Sequence, residues 1–133
     1  MSPQFLPGDE TWFASDSPTS NFSAVFEDNG ETGYFYACER SGEQTSLLDA
    51  VHIYNVRNVV DREIESRGEI LWSSDGLKAA LLLNGHPHAV IDFSGQRAYC
   101  RSNFPPPGGA WRAQEREPWD DSLMRWFGNG QHG

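Results

Sequence analysis

The sequence predicts a mainly β protein at the margin of the α+β class: an antiparallel meander sheet of about six or seven strands with one C-terminal helix. Three observations support this fold class. Short segments rich in β-branched and aromatic residues recur along the chain. Turn-forming pairs such as Asn29-Gly30 and Asn84-Gly85 lie among them. The segment EPWDDSLMRWFGNG near the C-terminus instead has apolar residues at roughly helical spacing.

The domain organisation follows from length and composition. A chain of 133 residues fits one domain. Residues 1–20 are polar and contain three prolines that interrupt any regular period, so we expect an irregular leader there. The globular domain then spans residues 21–128, and residues 129–133 form a flexible tail.

The first predicted hairpin covers NFSAVFEDNGETGYFYACE, residues 21–39. Asn-Gly is typical of a type I′ turn, because both central residues need positive φ. With Asn29 and Gly30 at the centre, Asp28 faces Glu31. The side chains predicted to share the core face are Phe22, Ala24, Phe26, Gly33, Phe35 and Ala37.

The middle of the chain carries most of the strand signals. LLDAVHIYNV, residues 47–56, predicts a strand, whereas residues 57–67 form either a loop or a second helix in an α+β sandwich. Residues 69–101 predict a meander of short strands, EILWS, LKAALLL, HPHAVIDF and RAYCR. Residues 103–110, NFPPPGGA, predict a surface loop.

The meander contains a candidate ligand site. With Asn84-Gly85 at the hairpin tip, strand alternation puts His86, His88 and Asp92 on one face. Neutral imidazole is a common zinc ligand, so these three residues could hold a metal or a small ligand. Hydrogen-bonded structural histidines are the simpler interpretation, because two imidazoles fall short of a metal pattern. The pairs predicted to face each other are Leu83 with His86, Leu82 with Pro87, Leu81 with His88, and Ala80 with Ala89.

A second candidate site lies just after the proline-rich loop, where acidic residues surround a tryptophan. An aromatic anchor with an anionic rim suits a basic protein partner. Acids are also favoured at a helix N-terminus near Pro118, so a buried tryptophan under an ordinary helix start is the alternative. The candidate partner-binding residues are Glu115, Glu117, Trp119, Asp120 and Asp121.

The charge balance disfavours several classes of function. Nineteen Asp and Glu residues against ten Lys and Arg give a net charge of −9. Such a chain is repelled by nucleic-acid phosphates and anionic membrane surfaces, and it attracts basic partners at long range. No secretory leader, membrane span or cofactor motif is present, so we expect a cytoplasmic protein without a cofactor. In that compartment Cys38 and Cys100 are expected to be free thiols.

Four segments give the chain a family resemblance: GYFYA (33–37), LLDAVHIYNV (47–56), LWSSDGLKAALLLNGHPHAVIDF (71–93) and YCRSNFP (99–105). Residues 21–127 resemble a family of small soluble bacterial proteins described only as a domain of unknown function. The resemblance implies a bacterial, cytoplasmic, one-domain protein. It brings no catalytic residues with it.

Two functional hypotheses follow. The first is a non-enzymatic acidic binding protein, such as an immunity- or antitoxin-like protein that neutralises a basic partner; it rests on net charge, small size and the acidic segment around Trp119. The alternative is a small-ligand or metal-binding protein that uses the face of His86, His88 and Asp92.

Overall fold

The computed structural model describes residues 3–61 and 63–127. Within them the chain forms nine strands in two antiparallel sheets, joined by short 3-10 helices. The strands are β1 (Gln4–Phe5), β2 (Thr11–Asp16), β3 (Phe22–Asp28), β4 (Thr32–Ser41), β5 (Gln44–Asn55), β6 (Ser66–Trp72), β7 (Lys78–Leu83), β8 (His86–Asp92) and β9 (Arg97–Cys100). The 3-10 helices are Val56–Asn58, Gly109–Trp111 and Asp121–Phe127.

The two sheets are consecutive meanders. Strands β2-β3-β4-β5 form a four-stranded sheet, and β1-β6-β7-β8-β9 form a five-stranded sheet. The mainly β, antiparallel prediction is confirmed, but six or seven strands in one sheet is wrong for the described residues. A single sheet would leave one apolar face in water, whereas two stacked sheets bury their apolar faces against each other.

The core lies between the sheets. Phe26, Phe35 and Val51 of the four-stranded sheet and Leu81 and Ile91 of the five-stranded sheet are completely buried in one cluster. This cluster contains the core face that the sequence predicts for the first hairpin.

The predicted irregular leader contributes two strands instead. β1 pairs with β6, and β2 pairs with β3 along its whole length. In the segment TWFASD, Phe13 points inward and Trp12 points outward. This alternation is a weak strand signal in the sequence, because the segment is polar and flanked by prolines. Phe13 packs over Gly68 of β6, where any side chain would collide with the ring.

The first hairpin has the predicted faces but a different register. Asp28 pairs with Gly33 rather than with Glu31. Gly30, with a φ of 98°, suits the first central position of a type II′ turn. The Asp28 carboxylate accepts a hydrogen bond from the Gly30 N–H (2.8 Å), and the Asn29 side chain accepts one from the Glu31 N–H (3.0 Å). These bonds favour the shifted turn, and a shift of two residues keeps every side chain on its predicted face.

The predicted C-terminal helix is the 3-10 helix Asp121–Phe127. Residue 128 and the predicted tail, 129–133, lie outside the described residues. Residues 57–67 were predicted to form a loop or a second helix. The described residues of this stretch contain the end of the 3-10 helix Val56–Asn58 and the start of β6. Among the described residues, no helix combines the length and apolarity needed to cross a membrane.

The outer faces of the two sheets differ. The Asp121–Phe127 helix covers the five-stranded sheet, where Phe127 packs in a cluster with Ala80 and Val90. No described helix or strand covers the outer face of the four-stranded sheet. We refer to that surface as the open face and define it by Trp12, Ala14, Val25, Glu27, Tyr34, Tyr36, Ala50 and His52.

Candidate functional site

The acidic segment predicted to bind a partner is largely occupied by contacts within the chain. The Trp119 ring is half-buried in the cluster under the C-terminal helix. Its Nε1–H donates to Asp121 Oδ1 at 2.8 Å, and the Arg101 guanidinium lies 4.8 Å from its ring centre. Arg101 also forms an ion pair with Asp121 at 3.7 Å. Trp119, the predicted anchor, and Asp121, one of the predicted acids, are therefore in contact, but both are bound to groups of the same chain.

The other three acids of that segment do not join this cluster. Glu117 pairs with Arg97 at 3.5 Å, and the same guanidinium donates to the Glu115 carbonyl oxygen. Asp120 accepts a hydrogen bond from the Ser122 N–H, which lowers the pKa of its carboxyl. Of these three acids, only Asp120 binds the start of the helix, as the alternative interpretation expects.

The histidine hairpin departs from its predicted pairing at a β-bulge. Leu83 faces His86 and Leu82 faces Pro87 as predicted, but Leu81 pairs with Ala89, so that His88 becomes an extra residue. The bulge puts Leu81 and Leu83 of β7 on the same core face as Ala89 and Ile91 of β8, which strict alternation would not.

This geometry gives little support to a metal site. The Asp92 carboxylate accepts hydrogen bonds from the Ser94 hydroxyl (2.7 Å) and the Gly95 N–H (2.9 Å), both within its own turn. Across residues 3–61 and 63–127, no three His, Cys, Asp or Glu side chains are grouped so that they could hold a metal ion. The neighbours of His88 include the Arg101 guanidinium, which would repel a cation.

The environment of His88 predicts a pH effect on stability. Burial, the Arg101 charge and His86 lower the His88 pKa below its usual 6.5. The folded state therefore binds fewer protons than the unfolded state, and the contribution of His88 to stability is lost as pH falls below 6.5. We expect His88→Gln to flatten the decline in urea midpoint between about pH 7 and pH 5. Equal slopes for the variant and the wild type would contradict this assignment.

The open face carries an aromatic row across all four strands of its sheet. Strand pairing aligns Trp12 with Glu27, Glu27 with Tyr34, and Tyr34 with His52. The Tyr34 ring lies 6.1 Å from the His52 ring, edge to face, and His52 lies 6.1 Å from Phe104 in the same way. Trp12 is 71% exposed and Phe104 is 54% exposed. The row therefore presents exposed rings at its two ends and half-buried rings at Tyr34 and His52, with Glu27 between Trp12 and Tyr34.

Acidic groups lie within and beside this row. The Tyr36 hydroxyl donates to Glu27 at 2.8 Å, and burial together with this bond raises the pKa of Tyr36. Arg40, at one end of the sheet, forms an ion pair with Asp16 at 3.8 Å. A cleft of about 330 Å³ beside Trp12 is lined by Glu10, Thr11, Trp12, Glu27, Asp28 and Asn29. The surroundings of Trp12 are therefore both aromatic and anionic.

His52 holds the end of the aromatic row in place. Its backbone N–H donates to the Phe104 carbonyl (2.9 Å), and its ring contacts Ser102 Oγ (3.3 Å) and Asn55 Oδ1 (3.1 Å). Serine, histidine and an amide are the residue types of a nucleophile with its base and orienting group. Here the Ser102 hydroxyl lies equally near the His52 carbonyl, at 3.3 Å, so the contacts are better explained as a tether for the turn that carries Phe104.

The cysteines have the environments of structural thiols. Cys38 and Cys100 are both free and buried. Burial raises the pKa of Cys38, which keeps it in the unreactive thiol form. The Cys100 thiol donates to the Phe104 carbonyl at 3.4 Å and is inaccessible to solvent.

A buried ion pair fixes the loop that borders the open face. Arg116 donates to Asp49 of β5 through both terminal nitrogens, at 2.7 and 3.0 Å, and both side chains are almost fully buried. The same guanidinium also donates to the carbonyl oxygens of Pro105 and Ala98. Since the Gly108 N–H also binds Asp49, the proline-rich loop is anchored against β5.

The open face was not among the candidate surfaces predicted from the sequence. The core face predicted for the first hairpin excludes Tyr34 and Tyr36, and both lie on the open face in the structure. The available signal was the excess of aromatic residues on an outward face. The outward orientation of Trp12 could not be predicted, because residues 1–20 were expected to be irregular.

The comparisons with known proteins agree with the family resemblance. An uncharacterized protein of Haemophilus influenzae (strain ATCC 51907 / DSM 11121 / KW20 / Rd) is 38% identical over 97 residues. The aligned part is 71% of this chain and 60% of that protein, so the chain spans less than two thirds of the relative's length. No solved structure matches the chain. A family model described as an uncharacterized protein conserved in bacteria, DUF2251, matches residues 5–128, and the chain belongs to this family.

Proposed function

We propose that the protein is a non-enzymatic binding protein that captures a basic protein partner on the open face. The observation that carries this proposal is the uncovered aromatic row with Glu27 inside it, on a chain of net charge −9. The more specific form is an immunity- or antitoxin-like protein that neutralises a basic partner in the cytoplasm.

The residue types of the open face suit a cationic surface. Arginine and lysine side chains bind the faces of tryptophan and tyrosine, and the attraction grows when the contact is shielded from water. Trp12 and Tyr34 offer such rings. Glu27 lies between them, and its carboxylate can accept a hydrogen bond from the cationic side chain of a partner. Aromatic anchors at the centre of an interface commonly supply most of its binding energy.

The open face suits this role better than the segment 115–121. Trp119 already has a cation over its ring and an acceptor on its indole nitrogen, whereas Trp12 is 71% exposed. The acids of 115–121 remain able to add long-range attraction, because net charge steers association over distances beyond direct contact.

The test is affinity capture from the source bacterium with matched variants. The wild type and Trp126→Ala, which removes a partly exposed indole next to the five-stranded sheet, should retain the same basic protein. Trp12→Ala combined with Tyr34→Ala should weaken its binding by about 2 kcal/mol or more, roughly thirtyfold in Kd. Raising the salt concentration should slow association with the wild type.

Two outcomes would reject the proposal. One is that the captured partner is acidic or that its association is indifferent to salt. The other is equal binding to the wild type and to the double variant at positions 12 and 34. Unfolding midpoints should be measured in parallel, and we expect Trp12→Ala to leave stability within about 0.5 kcal/mol because the side chain is exposed.

A further inference from the structure

The edges of the two sheets differ in how they are protected. An exposed strand edge offers unpaired backbone groups to another chain, and most proteins cover or shorten such edges. β1 has two residues and β9 has four. Arg116 donates to the Ala98 carbonyl on β9 and to the Ala50 carbonyl on β5, and Phe104 accepts from the His52 N–H of β5. Three of the four edge strands are therefore short or covered, but β1 pairs only with Ser66 and Arg67, so the end of β6 also lacks a neighbouring strand.

β2 is the remaining edge, and its outward backbone groups are free. Ser17 N–H donates to the Phe22 carbonyl at 2.9 Å, which sets the phase of the ladder with β3. Alternation then directs the N–H and C=O groups of Trp12, Ala14 and Asp16 away from β3. Within residues 3–61 and 63–127, these outward groups have no hydrogen-bond partner.

The two sides of this edge favour different side chains. On the open-face side, the cleft of about 330 Å³ presents Trp12 with the carboxylates of Glu10 and Glu27. On the core side, a smaller cleft of about 120 Å³ is lined by Pro3, Phe13, Ala14, Ser15 and Ile70. A strand laid along β2 would point alternate side chains into these two environments.

We propose that β2 recognises its partner by strand addition: an extended basic segment pairs with β2 and becomes the fifth strand of the four-stranded sheet. This inference rests on the proposed function and specifies its mode of recognition. Backbone hydrogen bonds to Trp12, Ala14 and Asp16 supply affinity, and the alternating side chains supply specificity.

The expected segment alternates basic and aliphatic residues. An arginine opposite Trp12 lies on the same face as the indole, close enough to stack on it and to reach Glu27 across the strand. Aliphatic residues between the basic ones point to the core side, where the cleft beside Phe13 and Ile70 can receive one of them. The Asp16 carboxylate, further along the edge, already accepts a hydrogen bond from Ser23 (2.6 Å) and pairs with Arg40 at 3.8 Å, so a basic segment would have to share it with these groups.

The probe is a synthetic peptide of alternating arginine and valine, titrated into the isotope-labelled full chain. Strand addition should slow hydrogen exchange of the Trp12, Ala14 and Asp16 amides by at least about tenfold. The same peptide methylated at every arginine backbone nitrogen carries the same charge but lacks the donors that face β2 in an added antiparallel strand, so it should bind more weakly and protect none of the three amides. Equal protection by both peptides, or none by the unmethylated peptide, would overturn strand addition.

Ala14→Pro tests the backbone contact from the protein's side. The Ala14 N–H points away from β3, so proline removes a donor for the added strand without breaking the native ladder. We expect roughly tenfold weaker binding of the arginine-valine peptide. Ala14→Gly keeps the donor and should bind as the wild type does. Equal binding by the proline and glycine variants would contradict the proposal.

The same variants separate this inference from the proposed function. If the natural basic partner is lost with Trp12→Ala but kept with Ala14→Pro, the open face binds it without strand addition. If both variants keep the partner, the proposed function fails as well. If Ala14→Pro destabilises the protein, hydrogen exchange in the wild-type chain still tests strand addition.

Discussion

Arg116→Ala should lower the free energy of unfolding by about 3–5 kcal/mol, because it leaves the Asp49 carboxylate buried without its charged partner. Arg116 also donates to the carbonyl oxygens of Pro105 and Ala98, so the proline-rich loop should loosen. Urea denaturation measures the loss of stability. Faster hydrogen exchange at the Gly108 amide, which binds Asp49, reports the loosened loop.

Arg101→Ala is the matched control. Arg101 also donates to a backbone carbonyl and contacts a carboxylate, but its side chain is 49% exposed and its ion pair with Asp121 is long, at 3.7 Å. Exposed pairs of this kind contribute about 0–1 kcal/mol. Similar losses for the two arginine variants would show that the buried pair does not stabilise the loop as we infer.

Phe26→Ala should cost about 3–5 kcal/mol, whereas Trp12→Ala should cost little, although both remove an aromatic ring from neighbouring strands. Phe26 is fully buried, and its ring centre lies 5.4 Å from that of Phe5 and 5.1 Å from that of Phe13. Removing it opens a cavity between the sheets, whereas Trp12 is 71% exposed.

Chemical denaturation of the two variants side by side tests this contrast. A cost for Trp12→Ala comparable to that for Phe26→Ala would mean that something covers the open face in the free protein. The surface would then not be available to a partner, and the proposed function would lose its main support.

Much of the fold could be predicted from local patterns. The alternation of Phe22, Ala24 and Phe26 against Phe35 and Ala37 was enough to identify the core face, because strand side chains alternate with a period of two. The register could not be predicted as reliably, because side-chain hydrogen bonds around Asp28 decide which residues occupy the turn.

The features that determine the candidate site are contacts between distant parts of the chain. Asp49 and Arg116 are separated by 67 positions, and no local pattern links them. The bulge at His88 depends on which residues of β7 must face the second sheet. The exposure of Trp12 depends on the absence of any described element over its sheet. The binding site was predicted from a tryptophan surrounded by acidic residues. This pattern selected Trp119, whose indole N–H donates to Asp121 of the same chain.

The central claim is that a basic ligand binds the open face rather than the acidic segment near the C-terminus. The chain contains five tryptophans, so its indole N–H signals in a nitrogen–proton correlation spectrum report on both surfaces at once. During titration with the arginine-valine peptide, the account predicts that the Trp12 signal shifts in a saturable, salt-sensitive manner while the Trp119 signal stays in place. A shift of Trp119 with Trp12 unchanged would contradict the account and return the binding site to residues 115–121.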